Sequence, residues 1–415
     1  MKWVKPSSVS GAVRAPGSKS LTIRAAAAGL LGKGETTLID PSLCDDALAG
    51  FDIVAALGAA VQRGNGLIRI RGGAAAVEKV LDCRESGLSM RLFAPICALR
   101  GETITLRGSG SIETRPMGMI ESPLRELGAS CRTEAGFAPV EVRGPLEGGE
   151  ASVDGSFGSQ LLSGLLMALP LCRRDSELRV DHLKSRPYAS MTVGLLAQFG
   201  VTVIPDGRFE RVKIPGKQEY KPASIRIEGD WSGAAFLLAA GAARGRVTVL
   251  NLNRRSSQPD KAVVEALDAA GAKITQERDS ITVERSDLKG FRFDASDSPD
   301  LFPPLAVLAC AAEGESRITG VCRLKHKESD RGLALREELG RVGARIEVDG
   351  DLMVIQGAKL SGGVIDSRGD HRIAMAGALA GLISEAGVGI LGWPCVAKSY
   401  PGFFEDLRSL GGEVS

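Results

Sequence analysis

The segment AALGAAV (55–61) decides the fold, because five further segments repeat its pattern of a helix end, a glycine and a strand. The five are RELGASC (125–131), AQFGVTV (197–203), DAAGAKI (268–274), GRVGARI (340–346) and RSLGGEV (408–414). Their glycines, from Gly58 to Gly411, are separated by 70, 72, 71, 72 and 68 residues. A glycine just past a helix end adopts the left-handed conformation without steric cost. The spacing therefore predicts six structural repeats of about 70 residues.

A second series of segments interleaves with the first and predicts one buried helix in each repeat. These segments are almost wholly apolar, and each runs into a glycine and a β-rich stretch. The helices are predicted to start at Ser20, Leu88, Ser159, Ser232, Leu301 and Arg372. A helix that is apolar on all sides belongs inside a layer of other elements. Each repeat should thus contain a buried helix, an amphipathic helix and several strands.

Three repeats make a domain of ordinary size, so the 415 residues should form two similar domains of mixed α/β (α+β) class. The break is expected before GDWSG (229–233). One domain then covers 14–228, and the other covers 1–13 plus 229–415. Residues 7–13 read as a short strand that pairs with the second half, so the chain would cross between the domains twice.

Composition argues against several classes of protein. Lys plus Arg number 52 and Asp plus Glu number 50, and aromatic residues make up 4%, so a nucleic-acid-binding surface is not expected. The longest apolar runs span 12 residues, whereas a membrane helix needs about 20. The N-terminal residues lack the apolar core of a signal peptide. We expect no membrane partner.

The cysteines and histidines indicate neither a disulfide framework nor a metal site. The eight cysteines form no CxxC pair and several lie in apolar runs, so reduced core thiols of a cytoplasmic protein are expected. The three histidines, His182, His326 and His371, form no HxxxH or HxH pair. No metal is therefore expected.

Polar residues gather at the starts of the predicted buried helices. They are Lys19-Ser20, Gly87 with Arg91, Ser159-Gln160, Asp230 with Ser232, Asp300, and Asp370-His371-Arg372. Helix N-termini carry free N–H groups and a partial positive charge, so they bind anions readily. Related helices in one domain should point their N-termini at one face. Two such domains would enclose a ligand with several negative charges.

A second set of polar residues follows each buried helix and its strand. It holds Asp45-Asp46, Arg115, Ser185 with Tyr188, Arg254-Arg255-Ser256, Lys327-Glu328 with Arg331, and Lys398. Arginine and lysine dominate this set although the net charge is only +2. That concentration favours a phosphate or carboxylate clamp over a solvated face. A single arginine in a turn is more often an exposed residue without a binding role. The interpretation as a clamp therefore depends on the repeats bringing these residues together.

Motifs along nearly the whole chain resemble the 5-enolpyruvylshikimate-3-phosphate synthase family. They are PGSKSLTIRA (16–25), SGLSMR (86–91), TRPMG (114–118), SQLLSGLLM (159–167), SRPY (185–188), GDWSGAAF (229–236), SPD (298–300), KESDR (327–331), GDHRIAM (369–375) and AKSYPGFF (397–404). The resemblance implies a transferase that joins phosphoenolpyruvate to the 5-hydroxyl of shikimate 3-phosphate, releases phosphate and uses no metal or organic cofactor. It also implies two domains of three βαβαββ units around buried parallel helices, an inside-out α/β barrel, with the substrates in the cleft between them.

The resemblance also assigns site residues by position. The phosphoenolpyruvate clamp is matched by Lys19, Arg115, Arg331, Arg372 and Lys398, with Gly87 as the close-approach glycine beside it. The shikimate 3-phosphate ligands are matched by Ser20, Arg24, Ser159, Gln160, Ser185, Tyr188 and Lys327. Asp300 matches the carboxylate near the attacking hydroxyl, Glu328 matches the second acid, and His371 lies in the same motif.

Proton transfer explains why the site needs acids. A hydroxyl oxygen adds to phosphoenolpyruvate while its methylene carbon gains a proton, and phosphate is then eliminated. Our hypothesis is that Asp300 is the base and that Glu328 and Lys19 deliver the proton. On sequence alone, Glu328 also reads as an ordinary first-turn helix carboxylate and Asp300 as an N-cap. Arginines would hold the two anions, and domain closure of a monomer would exclude water.

Four positions depart from the pattern of this family. Glu85 stands where asparagine is usual, Leu88 where threonine is common, and Leu92 where proline is common. Gly158 replaces the first of two serines, which removes one hydroxyl ligand to the phosphate of shikimate 3-phosphate. The retained Gly87 favours some sensitivity to the family's phosphonate inhibitor, glyphosate.

Three other functions compete with this interpretation. The enolpyruvyl transferase acting on UDP-N-acetylglucosamine has asparagine after its lysine and a loop cysteine, whereas here Ser20 follows Lys19 and GSGSIETRPMG (108–118) has no cysteine. A non-catalytic scaffold would have degraded acid and base positions, and these are intact. An RNA-end-processing cyclase is disfavoured by the charge and the few aromatic residues.

Overall fold

The computed structural model of the chain describes residues 1–73 and 77–415 and divides into two compact units. The split unit comprises Met1–Pro16 and Glu228–Ser415, and the continuous unit comprises Gly17–Ile227. Buried apolar side chains form one separate core in each unit. The chain therefore leaves the split unit after its first residues and returns to it after the whole continuous unit.

Helices recur through both units. The α-helices are α1 (Lys19–Leu31), α2 (Asp45–Ala56), α3 (Gly87–Cys97), α4 (Glu121–Glu126), α5 (Gln160–Ala168), α6 (Arg186–Gln198), α7 (Trp231–Arg244), α8 (Val263–Ala269), α9 (Phe302–Ala311), α10 (Arg331–Ala334), α11 (His371–Ile383) and α12 (Phe403–Ser409). A π-helical stretch, Leu335–Leu339, continues α10. Short 3₁₀ helices cover Gly110–Thr114, Gly118–Ile120, Leu169–Leu171, Pro259–Ala262, Pro299–Leu301, Val321–Leu324 and Trp393–Lys398.

The strands lie between these helices in chain order. They are β1 (Lys2–Val4), β2 (Val9–Arg14), β3 (Gly34–Ile39), β4 (Ala60–Gly64), β5 (Leu67–Gly72), β6 (Val80–Asp82), β7 (Thr103–Arg107), β8 (Ser130–Glu134), β9 (Phe137–Arg143), β10 (Glu150–Asp154), β11 (Ser176–Asp181), β12 (Ile204–Pro205), β13 (Arg211–Ile214), β14 (Ser224–Arg226), β15 (Gly245–Leu250), β16 (Lys273–Gln276), β17 (Ser280–Glu284), β18 (Arg292–Asp294), β19 (Glu315–Thr319), β20 (Arg345–Asp349), β21 (Leu352–Gln356), β22 (Gly363–Asp366) and β23 (Val388–Leu391). The chain is thus of mixed α/β class.

The apolar helices are the buried elements of the fold. The predicted series corresponds to α1, α3, α5, α7, α9 and α11, each of which begins within one residue of its predicted start. Small residues let these helices approach closely. A Cβ atom on Gly164 of α5 would lie 2.5 Å from the carbonyl oxygen of Leu92 in α3. Leu88 and Leu92, two of the departures from the family pattern, are buried core residues of α3.

The six repeat glycines have the predicted left-handed conformation. Their φ angles are +97°, +96°, +74°, +81°, +103° and +97° at Gly58, Gly128, Gly200, Gly271, Gly343 and Gly411. Five of them come directly after the C-cap residue of an amphipathic helix. Gly343 instead follows the helical turn after the π-helical stretch. The local part of the repeat prediction is therefore confirmed.

One pairing scheme recurs in five four-stranded sheets. The strand order is β14-β3-β5-β4, β6-β7-β9-β8, β10-β11-β13-β12, β2-β15-β17-β16 and β18-β19-β21-β20. In each, the first pair is parallel and the other two are antiparallel. The sixth sheet, β1-β23-β22, has three strands. Buried and exposed residues alternate along strands such as β8 and β19, so one face covers the core.

Two strands, β2 and β14, do not pair with the strand that follows the next buried helix in the chain. In the other four sheets the strand before a buried helix pairs with the strand after it, as β6 and β7 do around α3. However, β2 precedes α1 in the chain and pairs with β15, whereas β14 precedes α7 and pairs with β3. The predicted pairing of the N-terminal strand with the second half is thus present.

The two ends of the chain meet within the split unit. The amide of Trp3 donates to the carbonyl of Ser415 at 2.9 Å, and the amide of Ser415 donates back to Trp3 at 2.9 Å. Elsewhere in this unit, the amide of Asp230 donates to the carbonyl of Pro16 at 2.8 Å. The outgoing and returning segments of the chain therefore lie side by side where they join this unit.

The cysteines are free thiols in mostly buried positions. Six of the eight are buried, while Cys322 is exposed and Cys395 is half-buried, so the prediction of core thiols is correct for six. Over residues 1–73 and 77–415, no helix combines the length and apolar character that crossing a membrane requires.

Candidate active site

Arg331 lies at the centre of an ion cluster in the split unit. Its buried guanidinium donates from Nη1 to Asp300 at 2.7 Å, from Nη2 to Glu328 at 2.7 Å and from Nε to Asp370 at 2.9 Å. Burial alone lowers the pKa of Arg331, but the carboxylates of Asp370, Glu328 and Asp300 raise it above its ordinary value. The arginine is therefore a fixed positive charge that orients three acids.

Asp300 receives two further cations. Lys327 Nζ lies 3.3 Å from Oδ1, and Arg372 Nη2 lies 3.0 Å from Oδ2. Asp300 lies in the turn Pro299–Leu301, and α9 has no side-chain cap, so the N-cap interpretation of this residue is wrong. The Asp300 side chain keeps 21% exposure, which leaves a face open to a ligand.

Glu328 and Lys327 extend this cluster ahead of α10. Because α10 begins at Arg331, Glu328 is not a first-turn helix carboxylate, and its Oε2 accepts from the arginine instead. Burial lowers the pKa of the Lys327 ammonium, and the Asp300 carboxylate opposes that shift. The KESDR motif thus supplies one acid and two cations to the same cluster.

The start of α11 completes the cluster. Asp370 caps the helix by accepting from the amide of Arg372 at 2.9 Å. His371 is buried, with Nδ1 4.0 Å from Asp370 Oδ1. Arg372 Nη1 is buried and has no hydrogen-bond partner in the described part of the chain. Lys398 Nζ donates to the carbonyl of Gly369 at 2.8 Å, which brings the AKSY motif to the same turn.

Asp260 is a buried carboxyl group near this cluster that sequence analysis did not assign. It is 1% exposed, its Oδ2 accepts from Ser232 Oγ in α7, and its Oδ1 has no hydrogen-bond partner within residues 1–73 and 77–415. Burial and the Asp300 carboxylate raise the pKa of Asp260 to about 7, against the opposing charge of Arg372. Asp260 could have been predicted from the Pro-Asp pair of QPD (258–260), because the same pair occurs in SPD (298–300), which contains Asp300.

In the continuous unit, the PGSKS motif forms the start of α1. Ser18 caps the helix by accepting from the amide of Leu21 at 3.4 Å. Lys19 Nζ lies 2.9 Å from Asp46 Oδ2, in the first turn of α2. Gly17 has room only for hydrogen, because a Cβ atom there would lie 2.3 Å from the carbonyl oxygen of Asp40. The lysine is therefore held at a fixed point beside two helix N-termini.

Arg115 packs directly on Gly87, the first residue of α3. A Cβ atom on Gly87 would lie 2.7 Å from the Arg115 Cζ and Nη1 atoms and 2.8 Å from Nη2. Arg115 is 7% exposed, and its Nε has no hydrogen-bond partner among the described residues. A buried guanidinium is stable only beside a compensating charge. This geometry is suited to an anionic ligand.

Arg91 links the Arg115 segment to α5. Its Nη1 donates to Gln160 Oε1 at 2.7 Å, and its Nη2 donates to the carbonyl of Pro116 at 2.9 Å. Ser159 is buried at the start of α5. The preceding Gly158, one of the departures from the family pattern, has a φ of +118°, a conformation that side chains other than that of glycine rarely adopt.

Arg24 is buried inside the continuous unit. Its Nε donates to Thr192 at 2.9 Å, its Nη1 to the carbonyl of Ser20 at 3.0 Å and its Nη2 to Ser163 at 3.0 Å. Its Cζ lies 5.6 Å from the centre of the Tyr188 ring. Burial lowers the pKa of Arg24 to about 10. These contacts favour a role in holding Ser20 and Tyr188.

The remaining residues of the prediction fall into two groups. Ser185 is buried at the start of α6 with a φ of +54°, and its carbonyl accepts from the amide of Tyr188 at 3.1 Å. Arg254 and Arg255, in contrast, are exposed, as expected for surface residues. In the described residues, no group of three or more His, Cys, Asp or Glu side chains is arranged to hold a metal ion.

Comparisons with known proteins cover both units. Residues 4–407 match the family model described as EPSP synthase (3-phosphoshikimate 1-carboxyvinyltransferase). A 3-phosphoshikimate 1-carboxyvinyltransferase of Methanocorpusculum labreanum is 38% identical over 419 residues, which cover 99% of this chain and 98% of that protein. One from Halobacterium salinarum is 40% identical over 426 residues, 99% of each chain. The EPSP synthase structure from Acinetobacter baumannii has a TM-score of 0.85 and 28% sequence identity, covering 100% of this chain and 99% of that one. The chain therefore belongs to the EPSP synthase family and is an enolpyruvyl transferase of the shikimate pathway.

Proposed function

We propose that this chain transfers the enolpyruvyl group of phosphoenolpyruvate to the 5-hydroxyl of shikimate 3-phosphate, in aromatic amino acid biosynthesis. The observation that carries the proposal is the cluster in which Arg331, Lys327 and Arg372 all donate to Asp300. A carboxylate fixed on both oxygens and still partly exposed is suited to orient a substrate hydroxyl.

The phosphoenolpyruvate clamp in this proposal consists of five cations. They are Lys19, Arg115, Arg331, Arg372 and Lys398. Support comes from Arg115 Nε and Arg372 Nη1, which are buried and lack partners among the described residues. The carboxylate and phosphate of phosphoenolpyruvate supply the negative charge and the acceptor oxygens that such groups require.

Shikimate 3-phosphate is proposed to bind mainly to the continuous unit. The ligands are Ser20, Arg24, Ser159, Gln160, Ser185 and Tyr188, with Lys327 and His371 from the split unit. Hydroxyl and amide groups at the starts of α1, α5 and α6 support this assignment, because helix N-termini favour a phosphate. Arg24 would also hold two of the other ligands, Ser20 and Tyr188, in place.

The proposed reaction proceeds by addition and elimination. The 5-hydroxyl oxygen bonds to the central carbon of phosphoenolpyruvate as Asp300 takes the hydroxyl proton. Glu328 and Lys19 deliver a proton to the methylene carbon, which becomes a methyl group. The tetrahedral adduct then loses a methyl proton and the carbon–phosphate oxygen bond breaks, which restores the double bond and releases phosphate.

We also propose that the two units are the two three-repeat domains of an inside-out α/β barrel. The continuous unit would supply mainly the shikimate 3-phosphate side, and the split unit the acids and part of the clamp. The protein would act as a cytoplasmic monomer. The shared sheet order of the repeats supports this assignment.

The first test is phosphate release from phosphoenolpyruvate in the presence of shikimate 3-phosphate, with UDP-N-acetylglucosamine as the parallel acceptor. We expect release with shikimate 3-phosphate alone. Release with the sugar nucleotide alone would assign the chain to the other enolpyruvyl transferase reaction. Release with neither acceptor, together with binding of shikimate 3-phosphate, would support a binding protein instead.

A further inference from the structure

Glu85 joins two segments that meet at the Arg115 guanidinium. Its Oε2 accepts from the amide of Ser111 at 3.1 Å and from the Ser111 hydroxyl at 2.9 Å. Glu85 lies two residues before Gly87, and Ser111 lies in the 3₁₀ helix Gly110–Thr114 that ends directly before Arg115. The carboxylate thus connects the start of α3 to the segment that carries the arginine.

The Glu85 carboxylate performs the capping function that this 3₁₀ helix otherwise lacks. Ser109 precedes the helix and its side chain makes no cap hydrogen bond. The amides of a first helical turn have no partner inside the helix, and a carboxylate is a strong acceptor for them. Glu85 therefore satisfies a helix terminus from a distant part of the chain.

Two glycines, Gly108 and Gly110, allow the backbone before Arg115 to lie close to Arg84 and Glu85. A Cβ atom on Gly110 would lie 2.8 Å from Glu85 Oε2, and one on Gly108 would lie 2.4 Å from the carbonyl oxygen of Arg84. The amide of Ser109 also donates to the carbonyl of Arg84 at 2.9 Å. Contacts along residues 84–87 and 108–115 therefore form one joined surface that ends with Arg115 on Gly87.

We propose that Glu85 is a positioning residue for Arg115, acting through Ser111 to hold the guanidinium where phosphoenolpyruvate binds. This inference rests on the proposed function of Arg115 in the phosphoenolpyruvate clamp. The proposed shikimate 3-phosphate ligands lie mainly on α1, α5 and α6, outside this turn. Loss of the Glu85 contact should consequently raise KM for phosphoenolpyruvate more than KM for shikimate 3-phosphate.

The test compares Glu85→Ala, Ser111→Ala, the double variant and Glu85→Gln in steady-state phosphate release. We expect Glu85→Ala to raise KM for phosphoenolpyruvate roughly tenfold, because both hydrogen bonds from Ser111 are lost, with KM for shikimate 3-phosphate changed less than about twofold. Glu85→Gln keeps an acceptor oxygen for Ser111 and should restore most of the affinity. The double variant should be no worse than Glu85→Ala.

Glu113→Ala is the matched control, because Glu113 is an exposed carboxylate of the same 3₁₀ helix. It should leave KM for both substrates unchanged. An unchanged KM for phosphoenolpyruvate in Glu85→Ala would overturn the proposal. So would an equal rise for both substrates accompanied by a lower melting temperature, since that pattern indicates a general loss of structure. Additive effects in the double variant would exclude Ser111 as the intermediary.

A second measurement separates this inference from the proposed function. Amide hydrogen exchange over residues 109–115 does not depend on turnover. We expect faster exchange in Glu85→Ala than in Glu85→Gln or Glu113→Ala. If the unmodified protein released no phosphate, the proposed reaction would fail, yet the exchange result would still decide whether Glu85 holds this turn. Unchanged exchange would overturn the positioning role in either case.

Discussion

A hydrogen atom in place of a methyl group at Gly87 lets the Arg115 guanidinium lie against the start of α3. This contact depends on the absence of one carbon atom, and each hydrogen bond that orients Asp300 likewise depends on one donor and one acceptor atom. Predictions at the residue scale therefore concern substitutions of one group, with the surrounding backbone kept.

Gly87→Ala should displace the guanidinium rather than unfold the helix. The added methyl carbon would lie 2.7 Å from Arg115 Cζ, and the end of a long side chain can move away from it. We expect KM for phosphoenolpyruvate to rise about tenfold while the melting temperature changes little. Steady-state kinetics and thermal unfolding measure the two effects. An unchanged KM would remove Arg115 from the clamp.

Asp300→Asn should reduce turnover by about 10²- to 10⁴-fold, the usual range for loss of a general base. The side chain keeps its shape, so calorimetry should find shikimate 3-phosphate binding nearly unchanged. Asp349→Asn, at an exposed position at the end of β20, is the control and should be neutral. Near-normal turnover of Asp300→Asn would exclude Asp300 as the base.

Asp260 predicts a pH dependence of stability. Its pKa is raised to about 7 in the folded chain, whereas an unfolded aspartate titrates near 4. Between these values the folded state holds a proton that the unfolded state has lost, so the stability that Asp260 contributes falls as pH rises. Asp260→Asn should remove this fall. Urea unfolding at pH 5 and pH 8 measures this effect: relative to the unmodified protein, the variant should have a higher free energy of unfolding at pH 8 than at pH 5. The same difference in free energy at both pH values would contradict the raised pKa of Asp260.

At the scale of elements, the helices follow from local patterns. Apolar segments and glycine caps are encoded within about 15 residues, which is why all six buried helices begin within one residue of their predicted starts. The role of Asp260, the contacts of Arg24 with Thr192 and Ser163, and the Glu85–Ser111 contact were not predicted, for the opposite reason. Their partners lie in other elements, and periodicity carries no information on which side chains meet across a core.

Two glycines that follow the π-helical stretch after α10 offer a matched test of the caps. Gly343 has a φ of +103°, and a Cβ atom there would lie 3.1 Å from the amide of Ser361. Gly340 has a φ of −59°, and a Cβ atom there would meet nothing within 4 Å. Gly343→Ala should lower the free energy of unfolding by roughly 1–2 kcal/mol.

Gly340→Ala should instead raise the free energy of unfolding by about 0.4–1 kcal/mol, because alanine fits a helical conformation and restricts the unfolded chain. Urea denaturation of both variants measures the difference. Equal effects of the two substitutions would show that the left-handed conformation of Gly343 is not what the sequence repeat preserves.

At the scale of the whole molecule, the continuous unit is an insertion into the split unit. A fragment of residues 17–227 contains every strand of its three sheets and its own core, so we expect it to unfold cooperatively in isolation. A fragment of 228–415 lacks β1 and β2, which leaves β23 and β15 unpaired at one edge. We expect it to aggregate or remain unfolded. Cooperative unfolding of 228–415, with none for 17–227, would contradict this division.

The pairing of β2 with β15 also fixes an order of events during synthesis. The partner of β2 begins at Gly245, so the ribosome must add more than 200 residues before this strand can pair. At about 5–20 residues per second, that interval is on the order of 10 to 50 seconds. All residues of the continuous unit emerge in the meantime, while Val9 and Val13 stay uncovered. Residues 9–14 are thus made before the whole continuous unit but buried only after it, so this strand stays accessible to chaperones and proteases in the nascent chain until β15 has emerged.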